Sequence, residues 1–215
     1  MRVAVKICGI NDAIAMRTAI EAGARFVGLV FYSPSPRSIH PNVAAELAKL
    51  VPNDVIRVGL FVDPDDALLD SVCTGVPLDM IQLHGAEGPE RCREVRARTG
   101  LPIMKAIKVA DATDLDSTYA YEGAVDWLMF DAKAPVDMVG ALPGGNARTF
   151  DWKLLSGRDW PVPWMLAGGI NADNVTRAVK DTGAVVVDVS SGVEATPGHK
   201  DPDRIQAFLK VVRNL

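Results

Sequence analysis

Apolar residues recur along this chain in eight short runs that are separated by polar segments. The runs begin near Val3, Phe26, Val55, Leu78, Ile103, Val125, Val162 and Val185. Their starts are about 22 to 29 residues apart, with one longer gap of about 37. Six intervening segments carry apolar residues at helical spacing: residues 12–22, 43–50, 65–73, 89–98, 171–180 and 202–212. The fifth connection, residues 111–122, fits a helix less well.

Strands that alternate with helices indicate a parallel sheet, because each helix carries the chain back to start the next strand. Eight such units close naturally into a barrel. The chain has 215 residues, 48% of them hydrophobic, and no linker, so it can bury one sizeable core. We therefore predict an α/β fold, a single (β/α)8 TIM barrel over residues 1–215. A doubly wound open sheet is the alternative.

Polar or glycine residues stand at the C-terminal end of nearly every apolar run, which favours the barrel. They are Cys8-Gly9, Asp63, His84-Gly85, Asp131, Gly168-Gly169 and Ser190. The active sites of such barrels lie on this rim, because the loops that follow the strands meet there.

The alternation of residues in the first strand predicts which side chains point into the barrel. Val3, Val5 and Ile7 should face the helices, so Lys6 and Cys8 should point inward. Asp188 points inward from the last strand, which neighbours the first in a closed barrel. A buried lysine needs a partner, so we expect Lys6 to pair with Asp188 and to help stabilise a Cys8 thiolate. The alternative for Cys8 is a small buried hydrophobic residue.

Two neighbouring strand ends have the composition of an anion site. Ser190-Ser191-Gly192 follows the last apolar run, and Gly168-Gly169 follows the run before it, with Asn171 as an expected helix N-cap. Backbone N–H groups at such turns suit a phosphate. The loops after the seventh and eighth strands of barrels often share one phosphate. The alternative is two ordinary glycine turns.

Composition narrows the partners. The net charge is −4 with no basic stripe, which argues against nucleic acid. No apolar run approaches the length of a membrane span, so we expect no membrane partner and a cytoplasmic location. The three cysteines are scattered without C-x-x-C spacing and the three histidines form no ligand pair, so we expect neither a disulfide framework nor a metal.

Short motifs in a fixed order carry a resemblance to a known family. They are KICGI, SPRSI, VGLFVD, QLHG, FDA, FDW, LAGGI and VDVSSGVE with PGHKD, and they run from one end of the chain to the other. Together they resemble phosphoribosylanthranilate isomerase. The resemblance implies a (β/α)8 barrel that acts without a cofactor on N-(5-phosphoribosyl)anthranilate, in an Amadori rearrangement of an aminoaldose to an aminoketose. We expect a monomer whose partner is this phosphorylated small molecule.

The resemblance also implies roles for particular residues. Cys8 in KICGI matches the general base and Asp131 in FDA the general acid. Arg37 in SPRSI matches the residue that binds the anthranilate carboxylate, although a solvated loop arginine is the plain alternative. The remaining substrate-binding set is predicted to be Gly168, Gly169, Asp188, Ser190, Ser191 and Gly192.

Some features stay open. His84 either bonds a sugar hydroxyl or makes a structural hydrogen bond, and Glu194 and His199 have no derived role. The loop 132–149 has the length of a lid, but it departs from the family after Gly144-Gly145, where Asn146 and Ala147 replace the usual Ser or Thr and Gly.

Two other functions compete with this one. A related barrel isomerase of histidine biosynthesis, or one serving both pathways, places an aspartate where this chain has Cys8. A non-enzymatic phosphate-binding barrel would need the glycine and serine turns but not both Cys8 and Asp131. Their joint presence favours an enzyme.

Overall fold

Eight parallel strands, hydrogen-bonded in sequence order, close into a barrel in the computed structural model, which describes residues 3–134, 144–145 and 149–215. The strands are β1 Ala4–Cys8, β2 Phe26–Phe31, β3 Ile56–Phe61, β4 Met80–Leu83, β5 Ile103–Val109, β6 Trp127–Ala132, β7 Trp164–Leu166 and β8 Val186–Val189. Each predicted apolar run contains one strand. The predicted (β/α)8 barrel is confirmed. The open sheet is wrong because every strand from β1 to β8 has two neighbours, with β8 pairing back onto β1, so the sheet has no edge.

In the described ranges, six α-helices surround the barrel. They are α1 Ala13–Glu21, α2 Pro41–Ala48, α3 Asp66–Gly75, α4 Pro89–Thr99, α5 Val175–Thr182 and α6 Pro202–Arg213. Local chemistry sets where they begin. For example, the carboxylate of Asp12 accepts from the backbone N–H of Ala15 at 2.8 Å, which satisfies one of the free donors of the first turn. The fifth connection is the 3-10 helix Ala112–Tyr121, in keeping with its weak helical pattern.

The helix after β7 begins later than predicted. The Asn171 side chain accepts from the N–H groups of Asp173 and Asn174, and its carbonyl accepts from the N–H of Val175, so Asn171 closes a single turn that precedes the helix. The helix starts only at Val175. The prediction of a helix over 171–180 was therefore wrong in its first turn, since an asparagine caps a turn as readily as a helix.

Among the described residues, two large apolar layers stabilise the barrel, and a small third cluster of Cys8, Val30 and Leu60 lies at the cavity. One lies between the strands and the helices and includes Val5 and Ile7 of β1. The other fills the lower barrel interior with Phe26, Val58, Met80, Met104, Ala106, Met129, Met165, Ala167 and Val186. Burial of each large side chain stabilises the fold by about 1.5–3 kcal/mol. Because the lower interior is filled, the polar groups of the inward positions collect above it, at the C-terminal rim.

A short hairpin follows the barrel strands. After β8 comes a 3-10 turn, Ser191–Val193, and then the antiparallel pair β9 Glu194–Thr196 and β10 His199–Lys200. No helix in the part of the chain that the structure describes combines the length and hydropathy needed to cross a bilayer.

Candidate active site

A cavity opens at the C-terminal ends of the strands, and the predicted site residues gather around it. Cys8, Arg37, Asp131, Gly168, Gly169, Asp188, Ser190 and Ser191 line it. Gly192 lies beside it, in a depression that it shares with Gly169 and Ser191. The structure thus brings together residues from both ends of the chain, as the barrel prediction requires.

Cys8 lies on the inner face of β1 above a buried ion pair. Nζ of Lys6, which is fully buried, donates to Oδ1 of Asp188 at 2.8 Å, so the predicted pairing is confirmed. Gly28 on the neighbouring strand leaves room for both groups. A Cβ atom there would lie 3.0 Å from Sγ of Cys8 and 3.1 Å from Nζ of Lys6. The ammonium and the thiol therefore share one small chamber.

Opposing effects act on the Cys8 thiol. Burial raises the pKa of Cys8, because a thiolate is poorly stabilised away from water. The charge of Lys6 works to lower it and Asp188 to raise it, and the net direction is upward. Burial, the largest single effect, would lower the pKa of Lys6, but Asp188 and Cys8 together outweigh it and raise the pKa, so Lys6 stays charged. The expected support for a thiolate is present in Lys6, yet it is smaller than the effect of burial.

Asp131 lies on β6, which β7 and β8 separate from β1 around the barrel. Its Oδ1 accepts from the backbone N–H of Ala132 at 2.9 Å, and its Oδ2 is 3.0 Å from Nε2 of His84. Nδ1 of His84 lies 2.9 Å from Nε2 of Gln82. With Nε2 of Gln82 placed at Nδ1, the ring proton is assigned to Nε2, which then donates to Asp131. His84 thus makes a structural hydrogen bond that aims the proposed acid.

Gln82 was missed by the sequence analysis. It is fully buried and points into the barrel between Met80 and His84, and its Oε1 has no partner among the described residues. The signal was available, because a glutamine two residues before the rim of a barrel strand must point inward, as His84 does.

Arg37 is buried at the cavity wall, where it is held by a residue for which the sequence analysis found no role. Its Nε and Nη2 donate to the two carboxylate oxygens of Glu194 at 2.8 and 2.9 Å. Lys200 donates to the same carboxylate at 2.7 Å. Burial alone would raise the pKa of Glu194, but the hydrogen bond from Arg37 and the charge of Lys200 prevail and lower it. His199 is exposed on the same hairpin, away from this contact.

Glycines shape the predicted anion cradle. Gly168 and Gly169 have φ of 86° and 62°, a left-handed region that favours glycine. A Cβ at Gly192 would collide with the carbonyl oxygen of Ile170, so the loops after β7 and β8 touch at this point. The first N–H groups of the 3-10 turn Ser191–Val193 have no acceptor within that turn, which leaves them available to a ligand.

The remaining predictions concern the lid and the metal. Most of the loop 132–149 consists of residues 135–143 and 146–148, so the lid prediction lies outside the described residues. Across the described ranges, no group of three or more histidine, cysteine, aspartate or glutamate side chains could hold a metal ion.

Comparison with known proteins gives a consistent result. Residues 5–211 match the family model described as N-(5'phosphoribosyl)anthranilate (PRA) isomerase. The chain is 61% identical over 209 residues to the N-(5'-phosphoribosyl)anthranilate isomerase of Rhodospirillum centenum, with 97% of each chain covered.

Solved structures agree with the sequence comparison. The phosphoribosyl anthranilate isomerase of Thermotoga maritima superimposes with a TM-score of 0.88 at 37% identity, covering 99% of this chain and 100% of that one. A phosphoribosyl anthranilate isomerase solved in complex with reduced 1-(o-carboxyphenylamino)-1-deoxyribulose 5-phosphate gives a TM-score of 0.85 at 36% identity, with 99% and 100% covered. On this sequence match and this shared barrel, the chain belongs to the N-(5'-phosphoribosyl)anthranilate isomerase family and is an isomerase.

Proposed function

We propose that this barrel, residues 1–215 acting as one unit, converts N-(5-phosphoribosyl)anthranilate to 1-(2-carboxyphenylamino)-1-deoxyribulose 5-phosphate, a step of tryptophan biosynthesis that needs no cofactor. The observation that carries the proposal is the presence of Cys8 and Asp131 on separate walls of one cavity, which Arg37 and the Gly169 cradle complete. Each group matches one part of this substrate. The carboxyl group matches the furanose ring oxygen, the thiol the C2′ proton, the guanidinium the anthranilate carboxylate and the anion cradle the phosphate. The relatives named above support the assignment.

The first chemical step is ring opening, and we assign it to Asp131. Its carboxyl group donates a proton to the furanose ring oxygen, the bond from that oxygen to C1′ breaks, and the nitrogen lone pair forms a protonated Schiff base. His84 bonds Oδ2 of Asp131 at 3.0 Å, which limits the rotation of the carboxyl group. The acid is thereby kept aimed at one point of the cavity.

The second step is removal of the C2′ proton, and we assign it to Cys8. The thiolate takes the proton, the electrons of the C–H bond form the enolamine, and tautomerisation gives the ketone. Lys6 favours the thiolate that this step requires, and burial opposes it. We therefore expect only a minor fraction of the enzyme to hold the thiolate at neutral pH.

The test is direct. Freshly prepared phosphoribosylanthranilate, added to the purified protein without metal or cofactor, should lose its anthranilate-type fluorescence in an enzyme-dependent reaction. The matched substrate of the histidine-pathway isomerase is the second arm. No turnover of phosphoribosylanthranilate would refute the proposal, and turnover of the histidine-pathway substrate alone would replace it with the competing isomerase.

We expect Arg37→Ala chiefly to raise KM, by about tenfold or more, with a smaller effect on kcat. The substrate carboxylate is present in the ground state and in the transition state alike, so its loss of a partner weakens both equally. Steady-state kinetics on a variant with an unchanged melting curve measure this. A normal KM with a much lower kcat would assign Arg37 to the chemical step instead.

Replacement of Gly169 by valine should lower kcat/KM by at least about tenfold, because a β-branched side chain is strained at this φ and blocks the cradle. Gly183→Val is the matched control, since Gly183 has a similar φ of 72° and open space around it. Both variants should lose stability, but only the first should lose catalysis. Equal kcat/KM values for the two variants would show that the loop at Gly169 does not bind the phosphate.

Two further predictions belong to this proposal. We propose a monomer, because Cys8, Asp131 and Arg37 meet in one cavity formed within a single barrel. The cytoplasmic location, inferred from the short apolar runs and in accord with the scattered cysteines, also stays a prediction.

A further inference from the structure

The hairpin β9–β10 lies directly against the loop that carries Arg37. Gly198, at its turn, has φ of 84°, and a Cβ atom there would collide with the carbonyl oxygen of Pro36. The side-chain amide of Asn11 donates to the carbonyl of Gly198 at 2.9 Å and fixes the turn from the other side. The hairpin is therefore part of the cavity wall, although it is no part of the barrel sheet.

Glu194 determines which edge of the Arg37 guanidinium remains for a ligand. It accepts from Nε and Nη2, and Nη2 also donates to the carbonyl of Gly145 at 3.3 Å. Within the described ranges, Nη1 makes no hydrogen bond. The backbone of Gly145 lies close to Nη1, since a Cβ atom at Gly145 would lie only 2.5 Å from it. Because the guanidinium is planar and rigid, two bonds on one edge fix the direction of the other donors.

Lys200 is the third charged residue of a buried cluster that also contains Arg37 and Glu194, and it changes the net charge of that cluster. Its Nζ donates to Oε1 of Glu194 at 2.7 Å, to the carbonyl of Ser190 at 3.0 Å and to Oγ of Ser190 at 3.1 Å. Three acceptors use all three hydrogens of an ammonium group. Arg37 and Glu194 alone would form a neutral pair with little attraction for an anion, whereas the three charges together leave a net charge of about +1 in a buried place where salt screens little.

We propose that Glu194 and Lys200 are positioning residues that make Arg37 selective for the carboxylate of the substrate. Glu194 sets the direction of the guanidinium, and Lys200 keeps the cluster positive although it is bound to groups other than the ligand. This inference rests on the proposed function, in which Arg37 binds the carboxylate of the anthranilate ring.

The experiment measures selectivity rather than rate. For each variant, kcat/KM is determined with phosphoribosylanthranilate and with phosphoribosylaniline, which lacks the carboxylate. Dissociation constants for the reduced product and for its carboxylate-free counterpart give a second measurement that needs no turnover. A general loss of structure lowers both values of a pair and leaves their ratio unchanged.

Three variants separate the two roles. Glu194→Asp keeps the charge but is one methylene too short to hold both guanidinium nitrogens, and Lys200→Met removes the charge. Each should lower the ratio by about tenfold or more, through misdirection of the donor in the first case and loss of attraction in the second. Thr196→Val, on the exposed face of the same hairpin, is the control and should keep the wild-type ratio.

The outcomes are distinct. An unchanged ratio in Glu194→Asp would overturn the orienting role, and an unchanged ratio in Lys200→Met would overturn the charge role. Should Lys200→Met not fold, Lys200→Gln takes its place, since it keeps a donor towards Glu194 without the charge. Wild-type protein that turns over neither substrate would overturn the proposed function itself, whereas wild-type turnover with unchanged ratios would overturn only this inference.

Discussion

Cys8→Ala is expected to lower kcat by about 10²–10⁴-fold while the barrel stays folded, because general base catalysis contributes about that much. Cys8→Ser is the sharper variant, since a hydroxyl nearly preserves the shape of the thiol but is hardly ever ionised near neutral pH. It should be nearly as inactive as the alanine variant. Single-turnover kinetics, with ligand binding measured in parallel, test this, and near-wild-type turnover in a folded Cys8→Ala protein would reduce Cys8 to a packing residue.

The pH dependence gives an independent check on the same residue. The base acts as a thiolate, so kcat/KM should rise with pH as the thiol ionises. Because burial raises the pKa of Cys8, that rise should be centred above the ordinary pKa of a cysteine. The rising limb should vanish in Cys8→Ser, whereas a limb that persists there belongs to another group.

Asp131→Asn is expected to lower kcat by about 10²–10⁴-fold, with a smaller change in ligand binding. The amide cannot pass a proton to the ring oxygen. In the present geometry its one oxygen can face Nε2 of His84 or the backbone N–H of Ala132 but not both, so a melting curve must show that the variant keeps its fold. Steady-state kinetics and ligand dissociation constants of the folded variant measure these two effects.

Asp116→Asn is the matched control for this variant, because it makes the same chemical change at an exposed position. It should leave kcat within about twofold of the wild-type value, as surface substitutions away from a site usually do. A similar loss of kcat in both variants would show that the change in net charge, and not the missing acid, is responsible.

The barrel and the heart of the site could be predicted because they follow from short-range periodicity. Apolar runs at regular spacing identify the strands, and a period of two residues identifies what points inward. On that basis Lys6 and Asp188 could be paired before any distance was known, and they lie 2.8 Å apart. Gln82 obeyed the same rule and could have been found.

What could not be predicted depends on contacts that periodicity does not describe. The hairpin at Glu194 has strands of three and two residues, too short to show a pattern, and the partner of Glu194 lies 157 residues earlier. The direction of the Cys8 pKa is likewise a balance between burial and three neighbouring charges. Only coordinates give the size of each contribution.

The Lys6–Asp188 pair has a consequence for how activity arises during synthesis. It spans 182 residues and joins the first strand to the last, so the entropy cost of closing this long loop must be met before the pair can form. Cys8 leaves the ribosome early, together with Lys6, but acquires the other two of its neighbouring charges only after Asp188 and Lys200 have followed. A chain that ends before β8 would carry Cys8 without Asp188 and Lys200. The protein would therefore become catalytic only when β8 pairs with β1 and closes the barrel.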